Sequence, residues 1–405
     1  EKIDASEDES AYYNYCQAEI YLHWAFARIK FKEFLTAAIE VNKAYNLLEE
    51  NEKKYPDFIP NKKGLGLLHA LIGTIPDDYK WAVKIIGIAG TVNQGVNELS
   101  ALLTTTLKDE NYSYLKAESI FLLTFIQLNF QKDQVLTLGK YLYDPSYAAM
   151  MKENPLICYA AASIALRTGS NDKAIEILMA RPSGTEYYPF YYLDYLTGIA
   201  KLNRLDYDAY KYFYTFLFNF KGQNYIKASY QKLAWYFLVN NNTAKYKEKI
   251  AYALTQGNSL VDEDIQALAE AKSGVIPNIR LLKARLLCDG GYFQKAVDLL
   301  IEKKPSDFCS TVKDYLEYTY RLGRIYDEWG FNTKAIPFYE LTVKNAATFT
   351  YYFAANACLH LGLIYEEQEN KVKAKYYYQL CTNMKNTEYT TSINQKAKAG
   401  LNRVQ

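Results

Sequence analysis

Metal and proton chemistry draws first on histidine, cysteine and paired carboxylates, and this chain holds three widely separated histidines, His23, His69 and His360. None lies in an HExxH string or four residues from a second His or Cys, the spacing that sets two ligands on one helix face. Glu19 and His23 do share a face at that spacing, but two ligands do not make a zinc site. Cys358 and His360, two apart, point to different faces. A structural or surface role is expected for each histidine. The six cysteines, Cys16, Cys158, Cys288, Cys309, Cys358 and Cys381, are scattered without a CxxC and mostly sit among apolar residues, so they read as small buried hydrophobes.

Other chemical signatures are equally thin. Gly64-Leu-Gly66 continues as Leu-Leu-His and follows no strand, so it is not a dinucleotide loop, and neither G-x-x-x-x-G-K-S/T nor G-x-S-x-G occurs. Asp262-Glu263-Asp264 opens a short helical stretch, where negative charge suits the positive end of the helix dipole and predicts capping rather than metal binding. Glu366, Glu367 and Glu369, followed by Lys371, Lys373 and Lys375, read as a solvated turn. No catalytic, cofactor-binding or metal-ligating residue is assigned, and the chain is read as a non-enzyme.

Composition narrows the partners. Of 405 residues, 50% are hydrophobic and 16% aromatic, with 40 tyrosines, which excludes a disordered chain. The 47 basic and 45 acidic side chains leave a net charge of +2, and only nine of the basic residues are Arg, so nucleic acid is not an expected partner. No apolar run reaches the roughly 18 residues of a membrane helix. The most hydrophobic stretch, Gly64–Ile75, ends at Pro76-Asp77-Asp78, and Trp81–Val92 carries Lys84, so both are expected as buried helices. The first residue is Glu1 rather than Met, which leans the localisation toward a bacterial periplasm after leader removal, with the cytoplasm as the alternative; the N-x-S/T strings at Asn111 and Asn241 are too common to decide it.

The elements that must position any binding surface are helices. Ala18, Tyr21, Leu22, Ala25, Phe26 and Ile29 step by three and four, as do Leu35, Ala38, Val41, Tyr45 and Leu48, and the break at Lys30–Glu33 makes a hairpin of the two. Breakers recur every 15 to 25 residues or so, giving about twenty helices and almost no strand. Internal repetition then chooses stacked hairpins over a bundle. Leu322-Gly323-x-x-Tyr326, followed by Ala335 and Tyr339, returns as Leu361-Gly362-x-x-Tyr365 with Ala374 and Tyr378. This is the pattern of the tetratricopeptide repeat (TPR), in which small residues let two helices approach and large ones fill between them. The copies stand 39 rather than 34 residues apart, so the extra residues are expected around Ala346–Thr350. Weaker copies occur at Asp289–Ala296 with Leu300, Gly169–Ala174 with Leu178, and Leu205–Ala209 with Phe213. The expected fold is all-α, an α-α superhelix of TPR-like hairpins, with divergent hairpins in 1–180, a Tyr-rich centre in 181–275 and the clear repeats in 276–405, forming one continuous array.

Three further strings, Gly64–Pro76, Ile85–Gly90 leading to Gly95 and Leu99, and Leu282–Tyr292, resemble the family that joins the tetratricopeptide repeat protein 39 group to the inclusion-body clearance proteins. The resemblance spans roughly residues 10–385. It implies an all-helical TPR-like superhelix with a non-catalytic role and carries over no site residues.

In such an array the first helix of each hairpin lines the concave surface. Its exposed positions here are Glu317, Tyr320, Arg324 and Asp327 in one repeat and Asn356, Leu359, Leu363 and Glu366 in the next; they lack the Lys/Asn arrangement of the TPR clamp that holds chaperone C-termini. A second feature is the aromatic concentration from Tyr187 to Phe237, nineteen rings in 51 residues. One helix face cannot take them all, so they either fill gaps between irregular repeats or line a groove through Tyr188, Tyr191, Tyr192 and Tyr195. The expected function is a scaffold holding a protein or peptide, with a carbohydrate- or small-ligand-handling protein or enzyme beside the Tyr-rich middle as the alternative. Oligomeric state is not legible.

Overall fold

The computed structural model describes residues 10–31, 33–74, 87–130, 143–346, 349–384 and 389–404. Among them the chain is all-α: twenty α-helices, two short 3-10 turns and no strand. It divides into two compact units, one of residues 1–168 and 176–188, the other of 169–175 and 189–405. No helix among the described residues is long and apolar enough to cross a membrane.

The first unit opens with α1 (Ala11–Lys30) and α2 (Phe34–Lys54), the expected hairpin. Ser10 caps α1 by accepting from the Tyr12 N–H. Tyr15, Ala18, Leu22, Ala44, Leu48, Leu65 and Leu68 form its core. The stripe of α2 is rotated from expectation: Ala37, Ala44 and Leu48 are buried while Leu35 is exposed, because alanines rather than the larger residues sit where the helices touch. Helix α3 (Asn61–Ile72) is buried on nearly every side, as its composition requires. An added Cβ at Gly64 would stand 2.6 Å from Leu48, and one at Gly66 2.9 Å from Leu99 of α4 (Val92–Lys108), so these glycines set how near the helices come. Residues 81–86, the first half of the second apolar stretch, lie outside the described residues, and 87–91 are a turn and non-helical chain rather than the expected helix. Helices α5 (Lys116–Phe130), α6 (Pro145–Glu153) and α7 (Pro155–Arg167) continue the unit. They enclose a small apolar cavity lined by Leu103, Leu123, Met151, Ile157 and Ile164. Helix α8 (Asn171–Met179) is divided between the units at residue 176, with Ala174 and Leu178 fully buried as the weak repeat there predicts.

The second unit is built of hairpins. They are α9 (Tyr192–Asn203) with α10 (Ala209–Asn219), α11 (Ile226–Val239) with α12 (Thr243–Thr255), α14 (Ile279–Asp289) with α15 (Phe293–Ile301), α16 (Val312–Glu328) with α17 (Asn332–Ala346), and α18 (Tyr352–Glu367) with α19 (Lys371–Asn383). Helices α13 (Asp262–Ser273) and α20 (Thr390–Arg403) stand outside the pairing. All five hairpins close with the same turn. The residues Leu205, Asn241, Gly291, Gly330 and Glu369 take positive φ between 58° and 83°. The N–H of the next residue then bonds the carbonyl five back: Asp206 to Lys201, Asn242 to Phe237, Tyr292 to Leu287, Phe331 to Tyr326 and Asn370 to Tyr365. This is the Schellman arrangement, which satisfies carbonyls that the ending helix leaves unpaired. In two turns the following residue, Asn242 or Asn370, also caps the returning helix.

Within the hairpins the repeat residues meet as their sizes demand. Gly198 faces the Phe213 ring, Gly323 the Tyr339 ring and Gly362 the Tyr378 ring, and a Cβ at any of the three would come within 2.5 to 2.8 Å of ring carbon. Ala209, Ala296, Ala335 and Ala374 are fully buried. Helix α17 ends at Ala346 and α18 begins at Tyr352, so the longer repeat spacing falls in a link of which residues 347–348 lie outside the description. Thr311 opens α16 with a capping box, its hydroxyl accepting from the Asp314 N–H while the Asp314 carboxylate accepts from Thr311.

The acidic cluster at 262–264 departs from expectation. Asp264 is fully buried, and its carboxylate accepts from the Tyr225 and Ala228 N–H groups at 2.6 and 2.9 Å. It caps α11, a different helix from its own. Burial pushes its carboxyl above the usual range although the two amides pull it down. Lys227 braces the same region by donating to the Ala253 carbonyl at 2.7 Å, near the end of α12.

Candidate functional site

The first helices of successive hairpins, α14, α16 and α18, pack against one another, as do α11 and α14. Their shared face carries a row of charged and hydrogen-bonding side chains. Asp289 on α14 meets Arg324 on α16 at 2.7 Å, and Arg324 also holds Glu328 at 2.7 Å. Burial opposes ionisation of Asp289, but Arg324, Arg285 and Arg321 together hold its carboxyl below the usual range. Cys288 turns its thiol to Glu328 at 3.3 Å. Arg321 is buried and grips Glu317 one turn back at 2.8 Å. Further along, Asn356 of α18 donates to the Tyr320 hydroxyl at 2.5 Å. Asp327 takes a hydrogen bond from Tyr339 at 2.9 Å and pairs with Nδ1 of His360 at 2.7 Å. Glu366 is clasped by Arg403 at 2.6 Å and by the Tyr378 hydroxyl at 2.5 Å, and Arg403 holds its carboxyl below the usual range.

Of the eight residues expected on this face, six therefore lie half-buried or exposed along it: Glu317, Arg324, Asp327, Asn356, Leu363 and Glu366. Leu363 is the open apolar position, 41% exposed. Tyr320 and Leu359 are corrections. Both are buried, because neighbouring first helices close over the middle of each other's faces; the Tyr320 ring packs on Tyr339, Tyr352 and Phe353.

The tyrosine set divides. Tyr188 is 91% exposed, whereas Tyr195 is core, its ring against Tyr192, Phe213, Phe216 and Tyr225. Tyr191 and Tyr192 are half-buried at the start of α9. Packing claims the centre of the cluster, so Tyr195 lines no groove, and its hydroxyl is buried without a hydrogen-bond partner.

At the other end of the row lies a group that sequence spacing did not single out. Trp235 on α11 donates its indole N–H to Glu270 of α13 at 2.9 Å. Glu270 also accepts from Gln231 at 2.7 Å and from Tyr246 at 3.0 Å. The Lys232 ammonium sits 3.6 Å from the Trp235 ring centroid and the Arg285 guanidinium carbon 4.8 Å from it. Lys and Trp three apart share a helix face, a signal present in the sequence, but an Arg fifty residues on is brought there only by folding.

Four cysteines are buried, Cys16 and Cys309 are half-buried, and burial pushes the Cys158 and Cys309 thiols up to about 11. His69 is buried against Glu98 and Gln94, at 2.7 and 3.0 Å. Glu19 and His23 gain a third candidate ligand from α5, Glu118, all three within 4.8 Å. The Lys63 ammonium already joins the two carboxylates there, at 2.5 Å from Glu19 and 2.8 Å from Glu118. Burial lowers the pKa of Lys63, but Glu19, Tyr15 and Glu118 outweigh it and raise the value above a lysine's ordinary one, so an ammonium bridges the two carboxylates of this cluster. No protein-family model matches the chain, and no curated protein matches it.

Proposed function

We propose that the chain is a non-enzymatic TPR-type scaffold whose second unit holds a protein or peptide segment along the face made by α11, α14, α16 and α18. The observation that carries this reading is the row itself. Polar side chains of successive first helices are linked by Asp289–Arg324, Tyr320–Asn356 and Asp327–His360, so they are fixed in place before any ligand arrives. Fixed donors and acceptors beside an open apolar position, Leu363, are what an extended peptide needs for backbone hydrogen bonds and one anchoring side chain. The carboxylates of α14, α16 and α18 in the row are each engaged by Arg or His, and Glu270 by three neutral donors, which leaves the carbohydrate-handling alternative without a supporting observation.

Selection from a random displayed-peptide library tests the reading. Enriched peptides should lose about tenfold or more in affinity with Leu363→Asp. Val372→Asp, at an 81% exposed site on the second helix of the same hairpin, should leave them unchanged. Absence of any enriched peptide, or equal effects of the two substitutions, overturns it.

A further inference from the structure

Several cations in the second unit have close carboxylates of their own. Arg321 has Glu317, Arg324 has Asp289 and Glu328, Lys201 has Asp208, Arg204 has Asp172 and Asp206, and Arg403 has Glu366. Lys232 and Arg285 differ. The Lys232 ammonium donates to a neutral acceptor, the Gln231 side-chain oxygen, at 3.0 Å. Glu270, the acid that pulls hardest on it, already accepts from Gln231, Trp235 and Tyr246. Arg285 reaches Asp289 only at 3.8 Å, and its Nε is buried with no hydrogen-bond partner. Two positive groups thus share one indole, which the Glu270 bond holds in orientation. Like charges so placed repel, and desolvation adds to the cost unless an anion joins them.

We propose that Lys232, Arg285 and the Trp235 ring form an anchoring subsite for one carboxylate of the bound peptide. The inference rests on the peptide-binding reading for the source of that carboxylate, but the subsite has its own chemistry. A carboxylate brings a single charge, which meets the partly exposed ammonium and guanidinium that the buried Trp235 ring holds side by side. A phosphate dianion would bring a second charge toward Asp289 and Glu270. Burial and the neighbouring Arg285 push the Lys232 ammonium down to about 7, against the pull of Glu270, Asp289 and Glu263. Binding a carboxylate adds a closer negative charge, so the site takes up a proton near neutrality as it fills.

The Lys232 side-chain nitrogen, followed by NMR in the full chain, reads this directly. Two probes separate the sources of the carboxylate: N-acetylglutamic acid α-amide offers a side-chain one and N-acetylglycine a terminal one, with N-acetylglutamine amide as the uncharged control. At least one acid probe should raise the Lys232 titration midpoint by about one pH unit, and the tighter of the two assigns the source. Lys232→Gln and Arg285→Gln should each weaken that probe about tenfold or more. A midpoint unmoved by both acids, or moved as far by the uncharged control, overturns the subsite. If selected peptides bind Lys232→Gln as well as wild type, the subsite falls while the peptide reading stands. If the acids shift Lys232 and no peptide is ever enriched, the reading falls and the subsite stands.

Discussion

Two lysines, one in each unit, show opposite ways of keeping a charge inside a helical protein. Lys63 in the first unit is buried between Glu19 and Glu118, which raise its pKa; Lys232 in the second rests on a tryptophan beside an arginine, with its pKa lowered. In the first site the ammonium has two carboxylate partners, the same two that His23 would need to share with a metal ion. The second is incomplete on its own terms. Desolvation is common to both, so the partner chemistry and not burial alone decides whether a buried cation is structural or available.

The largest expected effect tests the first site. Lys63→Met strands two carboxylates around Glu19 Oε1, which is already buried without a hydrogen-bond partner, and should cost the first unit about 3 kcal/mol in chemical denaturation. A loss under about 1 kcal/mol would place Lys63 among ordinary surface pairs and dissolve the contrast. Next, Asp264→Ala should cost the second unit about 2 kcal/mol, since two N–H groups at the start of α11 lose their acceptor. That result would sharpen the comparison by showing that the second unit also closes its charges where they brace helices. Lys232→Met should be neutral or stabilising by about 1 kcal/mol, the reverse of Lys63→Met; a clear loss of stability would break the comparison.

Protonation supplies a fourth test. Lys63 has a raised folded pKa, so its contribution is whole below the ordinary lysine value of 10.5 and is lost as pH climbs past it. Lys232 has a lowered one, so from about 7 to 10.5 the unfolded chain binds more protons than the folded chain and stability rises with pH. Its slope is at most about 1.4 kcal/mol per pH unit, and Lys232→Met should remove it. The smallest effect concerns the turns: Glu369→Gly should stabilise by about 0.5–1 kcal/mol, relieving a left-handed conformation that glycine adopts freely.

Much of the second unit was legible because its signals are local or repeated. Gly323 with Tyr339 and Gly362 with Tyr378 announce close helix pairs by size alone. The closing turns were only partly readable. Gly291 and Gly330 advertise a positive φ, whereas Leu205 and Glu369 hold the same conformation because the helices on either side impose it. Tyr320 and Leu359 were misplaced because helical periodicity separates one face from another and does not say which face a neighbouring hairpin will cover. Asp264 looked like the cap of its own helix, since proximity in sequence was the sole guide. Lys232 and Arg285 escaped notice for the same reason: each alone is an ordinary basic residue, and only their shared indole makes them unusual.

The bridge from Asp289 to Arg324 acts as a detent between hairpins. Glu328 stands one helical turn beyond Arg324, about 5.4 Å along the axis. If α16 slid by that turn against α14, Asp289 would leave a guanidinium and face a carboxylate. A slip in that direction is thereby opposed by charge, which helps to preserve the spacing between one hairpin's polar groups and the next.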